Sequence, residues 1–238
     1  QMLALNNPST RVKLGIVPFS NHVRIDTALS GSSWLSVPAD ETTCEMKKDV
    51  ISKSGCSMQT LYSDGVPYEQ ETCTHYTYGP EYNQCTTKAW SGCVGSRNYP
   101  MNLKDESFAI KVPGILSSSC PSTISDLTSV KTDLTNQINS MFASGDTYIP
   151  AGLTWGKRLL SNIAPYSTAV TNATAIAEDT KRAIVLMTDG ENQRSAEVPG
   201  NATHWGSDID QANDWTTEVC NNIKNDDVIL YTVTFGTA

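Results

Sequence analysis

Motifs for catalysis and nucleotide binding are missing from this sequence. It contains no G-x-S-x-G, H-E-x-x-H, G-x-G-x-x-G or Walker pattern. Its three histidines are scattered along the chain, so no nucleophile and base stand at a spacing that indicates acid–base chemistry. We therefore predict that the protein is not an enzyme.

Long apolar runs and basic clusters are missing as well. No run approaches the length of a membrane-spanning helix, so we expect membrane contact only through a segment outside this chain. The net charge of −8 and the lack of a basic block argue against a nucleic-acid partner. No C-x-x-C pair occurs, and no histidine lies at a zinc-like spacing from a cysteine, which argues against structural zinc.

Cysteine, in contrast, is concentrated in one region. Six of the seven cysteines lie in a segment rich in Ser, Thr, Tyr and Gly: Cys44, Cys56, Cys73, Cys85, Cys93 and Cys120. We predict three disulfides that stabilise a loop-rich insertion with little core, over residues 30–121, in an oxidising, extracytoplasmic compartment. Their pairing stays open, because six cysteines allow many arrangements. Cys220 is either a buried free thiol or the partner of a cysteine beyond Ala238.

The insertion also holds Trp34, Trp90 and six of the nine tyrosines. Such residues are typical of contact surfaces. They equally suit a small core under the disulfides, and we favour that second interpretation.

The stretch Lys181–Asn192, K-R-A-I-V-L-M-T-D-G-E-N, is the clearest structural signal. The apolar run Ala183–Met187 predicts a strand buried on both faces. Asp189 would then lie at the carboxyl end of a parallel strand, where open α/β sheets bind ligands. The alternative is a simple Asp-Gly turn with a solvated acid. Thr147, in a loop that leads into a predicted helix, favours a ligand site because its hydroxyl can point into the same place.

Strands and helices alternate in the second half of the chain, which predicts a parallel sheet with right-handed crossovers. We therefore expect an α/β fold, a doubly wound and mostly parallel sheet, over residues 1–29 and 122–238. Asp208 is a plausible cap for one helix, and His22 is interpreted as structural. The predicted elements are strands Arg11–Phe19, His22–Leu29, Ala183–Met187 and Val228–Phe235, and helices Ser125–Phe142, Pro150–Ser161 and 209–223.

Five stretches carry a family resemblance: V-K-L-G-I-V-P-F-S, W-S-G-C-V-G-S-R, G-D-T-Y-I-P-A-G-L-T-W-G-K-R-L-L-S, V-L-M-T-D-G-E-N and I-L-Y-T-V-T-F-G. Together they resemble the von Willebrand factor A domain. The similarity is closest to its TadG-like branch, bacterial envelope proteins of the tight-adherence (Flp) pilus system. It covers residues 11–36 and 89–238, whereas residues 40–88 align to nothing.

The resemblance implies a metal-ion-dependent adhesion site (MIDAS), built from an Asp-x-Ser-x-Ser loop, a threonine and an aspartate. Thr147 matches the threonine and Asp189 the aspartate, so Mg²⁺ or Ca²⁺ is the implied cofactor. The Asp-x-Ser-x-Ser loop is absent, and in the family it lies upstream of the strand at Arg11. We thus expect either a domain incomplete at both ends or a lost site. The resemblance also implies a Cys93–Cys120 pair and an outside partner for Cys220.

The function implied is adhesion or pilus assembly outside the cytoplasm, at the bacterial envelope, cell surface or in a secreted form. The partner would be a protein or surface ligand, with pilus subunits as candidates. The alternative is a purely structural pilus, filament or envelope component with a degenerate metal site.

Overall fold

The structure is a computed structural model that describes residues 12–106, 109–116, 120–197 and 202–235. The chain divides into two units, each described here by itself. The smaller unit spans Asp40–Lys88, and the larger one contains the described residues before and after it. The described residues of 30–39 and 89–121, placed in the predicted insertion, belong to the larger unit.

Ten strands and four α-helices are present in the described ranges. The helices are α1 Lys131–Ser140, α2 Ile149–Leu159, α3 Asn172–Ala177 and α4 Ile209–Asn225. Short 3₁₀ turns lie at Thr27–Gly31 and Met101–Leu103. The strands are β1 Val23–Arg24, β2 Leu35–Ser36, β3 Glu41–Lys47, β4 Val50–Ser63, β5 Val66–Tyr78, β6 Tyr82–Lys88, β7 Cys93–Val94, β8 Val112–Pro113, β9 Arg182–Thr188 and β10 Val228–Thr234.

The predicted doubly wound, mostly parallel sheet is wrong. Among the described residues every sheet is a two-stranded pair, and the β1–β7, β3–β6 and β4–β5 pairs are antiparallel. The β2–β8 and β9–β10 pairs are parallel. Alternation of strand and helix does produce the parallel β9–α4–β10 unit, but in the described ranges no further strand joins it.

The predicted strand Arg11–Phe19 and the predicted start of a helix at Ser125 both differ from the structure, and contacts between these two segments are the reason. Within 12–19, the described part of the predicted strand Arg11–Phe19, pairing in the described ranges is limited to two isolated bridges, from Leu14 to Thr128 and from Phe19 to Val23. There, Leu14 and Thr128 exchange backbone hydrogen bonds of 2.9 and 2.8 Å. Ile16 donates its N–H to Ser125 Oγ at 2.8 Å and accepts from Ser125 N at 3.0 Å. Because these bonds hold residues 125–128 extended, α1 begins at Lys131 and not at Ser125.

Local signals were more successful in the last third of the chain. Pro150 lies in the first turn of α2, where a missing N–H costs nothing. Asp208 caps α4 by accepting the N–H of Gln211 at 3.0 Å. In β9 and β10, the residues pair in register from Arg182↔Val228 to Thr188↔Thr234. These elements lie close to their predicted positions.

The β9–β10 pair is covered on one face only. Leu186 and Val228 pack with Leu153 of α2 and with Val219 and Ile223 of α4 in a buried cluster. The opposite face is exposed: it presents Val185, Met187, Ile229, Tyr231 and Val233. The expectation of a strand buried on both faces is therefore wrong, because α2 and α4 contribute one layer.

This one-sided burial predicts unequal effects of substitution along β9. Val185 is 51% exposed, so Val185→Thr should change the free energy of unfolding by less than about 0.5 kcal/mol. Leu186 is 9% exposed, so Leu186→Ala should cost about 2 kcal/mol. Urea unfolding of both variants measures the contrast. Equal costs at the two positions would mean that the outer face is covered.

The smaller unit is one continuous β-ribbon. The β3–β6 pair is extended by the β4–β5 pair, with a register shift between Val50 and Ser52. Asp64 and Gly65 close the end with φ of 50° and 80°, the positive pair that a type I′ hairpin turn requires. Each side runs for about 23 residues, or roughly 70 Å at the usual rise of a strand.

Three disulfides are present: Cys44–Cys85, Cys56–Cys73 and Cys93–Cys120. The first two join residues directly opposite each other across the ribbon. The third is buried in the larger unit, in a small cluster with Ile115. The prediction of three disulfides is confirmed, and they indicate an oxidising environment.

Cys220 is a half-buried free thiol in α4, and burial raises its pKa.

In the part of the chain that the structure describes, no helix combines the length and apolar character needed to cross a bilayer.

Candidate functional site

Thr147 and Asp189 line the same pocket, although 42 residues separate them in the chain (189 − 147). The pocket is a concavity of about 260 Å³ at the carboxyl end of β9. Thr188 adds a second hydroxyl to the lining, and the apolar side chains are Phe19, Met187 and Phe235. The two residues singled out from the sequence are thus brought together.

The loop before α2 is tied to the loop after β9 by its backbone. Thr147 O accepts the N–H groups of Gln193 and Arg194 at 2.8 and 3.0 Å. Thr147 N donates to Gln193 Oε1 at 3.2 Å. On the other side, Tyr148 N donates to Ser20 O at 3.1 Å. These bonds fix the position of Thr147 while leaving its hydroxyl available.

Asn192 organises this junction, a role that sequence reasoning missed. It is buried, and its Oδ1 accepts the N–H of Ile149 at 2.8 Å, which satisfies one free donor at the start of α2. Its Nδ2 donates to Asn213 Oδ1 at 3.0 Å and Thr216 Oγ1 at 3.1 Å, both in α4. One side chain therefore joins the β9 loop to two helices. An asparagine two residues after an Asp-Gly turn resembles any loop residue, so the sequence held no signal for this role.

The polar groups in the pocket differ in availability. Thr188 Oγ1 is engaged with the carbonyl and N–H of Gly190, at 3.2 and 3.3 Å. The Asp189 carboxylate is exposed, and neither it nor the Thr147 hydroxyl has a hydrogen-bond partner among the described residues. The groups left for a ligand are one carboxylate and one hydroxyl.

The carboxylate of Asp189 and the hydroxyl of Thr147 are oxygen ligands of the type that a hard divalent cation prefers. Mg²⁺ and Ca²⁺ prefer oxygen ligands, and Mg²⁺ commonly binds through one or two carboxylates with several waters. The pocket lining supplies one anionic donor, Asp189. A site with this charge is expected to bind weakly unless a partner adds a second carboxylate.

An ion pair lies beside the pocket. Arg194 Nε contacts Asp146 Oδ2 at 2.6 Å, and both side chains are about one-third exposed. The Arg194 guanidinium also lies 5.6 Å from the centre of the Trp205 ring. The pair connects the residue before Thr147 to the loop after β9, so it restrains the same junction as Asn192. Nothing in the sequence joined these two residues.

A second polar cluster lies in the core of the larger unit. The imidazoles of His22 and His204 are stacked with centroids 5.0 Å apart, and both are fully buried. His204 Nδ1 lies 2.6 Å from Asn21 O, which can only accept, so Nδ1 carries the proton. His204 Nε2 then accepts from the Ser96 hydroxyl at 2.7 Å, and His22 Nε2 accepts the His204 backbone N–H at 3.3 Å.

Both imidazoles are neutral at physiological pH. Burial, reinforced by the charge of His204, lowers the pKa of His22 to about 3. Burial lowers the pKa of His204 to about 4. A general base working near neutral pH needs a pKa close to that pH, so these pKa values do not suit either ring to that role.

The ribbon contains one group with metal-ligand spacing, Cys56, Glu71 and Cys73. Its two sulfur atoms form a disulfide, and a metal would need them as thiolates. This group is therefore not a metal site while the disulfide is intact.

Comparisons with known proteins add no relative. A scan against protein-family models, a search of curated proteins and a search of solved structures each found no match.

Proposed function

We propose that this protein is a non-enzymatic adhesion or assembly module that acts outside the cytoplasm. It binds a protein or surface ligand through the pocket lined by Thr147 and Asp189. The observation that carries the proposal is the convergence of these two side chains on one concavity at the carboxyl end of a parallel strand pair. Such a position is where ligands commonly bind between strand ends and helix starts.

The available groups favour recognition over catalysis. The pocket lining has an unengaged carboxylate and hydroxyl beside three apolar side chains, but neither a histidine nor a cysteine as a nucleophile or base. Thr147 and Asp189 would hold the cation, Mg²⁺ or Ca²⁺. When bound, the cation supplies positive charge that attracts a carboxylate of the partner. Phe19, Met187 and Phe235 would contact the apolar part of the same ligand.

Its placement at the bacterial envelope, in pilus assembly, rests on the TadG-like stretches of sequence. V-L-M-T-D-G-E-N contains Asp189, and G-D-T-Y-I-P-A-G contains Thr147. The three disulfides support an extracytoplasmic location. The single anionic donor in the pocket supports the second candidate, a structural pilus or envelope component that needs no cation.

Removing the Asp189 carboxylate is expected to weaken cation binding. With Mn²⁺ as the probe, electron paramagnetic resonance should report a weak site, with a dissociation constant on the order of 1 mM. Asp189→Asn should weaken it at least about tenfold, because it removes the anionic donor. Glu191→Gln is the matched control, since Glu191 is exposed, two residues away and outside the pocket lining. The affinity of Glu191→Gln for Mn²⁺ should equal that of the wild type.

Two outcomes would contradict the cation-assisted version. One is Mn²⁺ binding that is the same in wild type and Asp189→Asn. The other is the absence of Mn²⁺ binding to the wild type at about 10 mM Mn²⁺, roughly ten times the expected dissociation constant. Either result leaves the structural candidate, which predicts assembly that is insensitive to EDTA and sensitive to reductant.

A further inference from the structure

The distal end of the β-ribbon, Ser57–Thr72, exposes apolar side chains on both of its faces. Met58 and Tyr62 lie on one face, 61% and 71% exposed. Val66 and Tyr68 lie on the other, 66% and 46% exposed. Alternation along paired strands places these residues on opposite sides of the ribbon. The ribbon therefore has no inner face within which its own apolar residues are buried.

The two disulfides keep this exposed segment in register. An isolated two-stranded hairpin is marginally stable in water, and every residue of β3 and β6 is exposed. Cys44–Cys85 and Cys56–Cys73 cross-link the two strands directly, which removes conformational freedom from the unfolded chain. The tip is thus held in a defined shape without a core of its own.

The charge of the tip is of one sign. Residues 57–72 contain Asp64, Glu69 and Glu71 and no lysine or arginine. Glu71 has a long, exposed contact with Lys53 at 3.5 Å, and Glu69 accepts a hydrogen bond from Thr60 at 2.6 Å. In the described part of the chain, Asp64 and Glu69 have no ion-pair partner.

We propose that this tip inserts into a cleft of a partner protein. The cleft has apolar walls and basic side chains. A flat surface would cover one face of the ribbon and leave the other in water, whereas a cleft encloses both. Lysine or arginine in the cleft compensates the three carboxylates on desolvation. The contact goes beyond the function proposed for the Thr147–Asp189 pocket and does not depend on a cation.

The same charges disfavour other occupants. Insertion into a bilayer would desolvate Asp64 and Glu69 without a cation beside them. The anionic surface of bacterial or cytoplasmic leaflets would also repel the tip. A second copy of the chain carries a net charge of −8, so it offers poor electrostatic complementarity.

Photo-cross-linking from the tip tests the proposal in the cells that make the full chain. p-Benzoylphenylalanine replaces Tyr62 in one variant and Tyr82 in the control. Tyr82 is an exposed tyrosine of the same ribbon that pairs with Lys47, 15 residues along the strand from Tyr62 (62 − 47), so a ribbon that adheres indiscriminately would cross-link from both positions. The expected result is one protein product, identified by mass spectrometry, that forms from position 62 and not from position 82. EDTA should leave this product unchanged.

Binding of the purified, cross-linked partner then tests the chemistry. Tyr62→Ser and Glu69→Gln should each weaken its affinity by about tenfold or more, as removal of an anchor or a paired charge does. Raising the salt from about 50 to about 500 mM should weaken it further. Tyr82→Ser should change the affinity by less than about twofold. Intact mass without reduction verifies that both ribbon disulfides are present in each variant.

The proposal is overturned by any of four cross-linking results. These are no product specific to position 62, equal products from both positions, a product of twice the chain mass, and a position-62 product that disappears in EDTA. Co-sedimentation with vesicles of phosphatidylcholine and phosphatidylglycerol, lost in Tyr62→Ser, would assign the tip to a membrane and overturn it as well.

Discussion

Acidification from about pH 7 to about pH 5 is expected to lower the free energy of unfolding by about 4 kcal/mol. The cause is the buried pair His22 and His204, whose folded-state pKa values lie near 3 and 4. Unfolded histidines have a pKa of about 6.5, so below that pH the unfolded chain binds protons that the folded chain does not. The stability that the two neutral histidines contribute is thus complete above about pH 6.5. It is lost as the pH falls toward their folded-state pKa values.

The geometry explains why the folded pair resists protonation. His204 already uses both ring nitrogens, as a donor to Asn21 O and an acceptor from Ser96. A proton on His22 Nε2 would face the backbone N–H of His204, a donor, 3.3 Å from that nitrogen. The two rings would also repel each other as stacked cations.

Urea unfolding at pH 7, 6 and 5 measures the effect, and the slope should approach the uptake of two protons on unfolding. Ordinary carboxylates titrate below about pH 4.5, so they contribute little in this window. His75→Gln is the matched control, because it removes an exposed histidine of the ribbon and leaves the buried pair intact. His204→Gln should reduce the slope by about half. A stability that is constant from pH 7 to pH 5 would show that these histidines are not buried as neutral rings.

Replacing Asn192 by leucine is expected to cost about 3 kcal/mol of unfolding free energy. Leucine has a similar size but cannot form the three hydrogen bonds to Ile149, Asn213 and Thr216. The Ile149 N–H would remain buried without an acceptor, and each such loss costs about 1 to 2 kcal/mol. Because Asn192 holds the β9 loop against α2, the variant should also weaken Mn²⁺ binding at Thr147 and Asp189.

Thermal and urea unfolding measure the stability, with Glu191→Ala as the matched control. Glu191 is the exposed neighbour, and its removal should change the free energy of unfolding by less than about 0.5 kcal/mol. Asn192→Asp separates the roles of the two amide atoms: it keeps an acceptor for Ile149 but places an acceptor where the donor stood. We expect a cost similar to that of leucine. A cost below about 1 kcal/mol for both variants would contradict the role of Asn192 as the junction.

Only two members of the candidate site, Thr147 and Asp189, were singled out from the sequence. Asp189 follows an apolar run and precedes a glycine, and Thr147 precedes a proline that begins a helix, so both belong to patterns with a known position at a strand or helix end. Asn192, Asp146 and Arg194 belong to no such pattern. Their roles come from contacts between segments more than 20 residues apart, which a local pattern does not encode.

The sequence by itself determined the elements whose causes are local. The first-turn proline of α2, the Asp208 cap of α4, the periodicity of both helices, the apolar runs of β9 and β10, and the clustering of cysteines all act over a few residues. Strand pairing was decided only in the tertiary structure. Residues 12–19 read as a strand, but Leu14 and Ile16 form their hydrogen bonds with residues 125–128, where these bonds override a helical periodicity. The stacking of His22 on His204 joins positions 182 residues apart (204 − 22). Such contacts depend on which backbone and side-chain groups still lack a hydrogen-bond partner. That is decided only when the elements of the whole chain pack together.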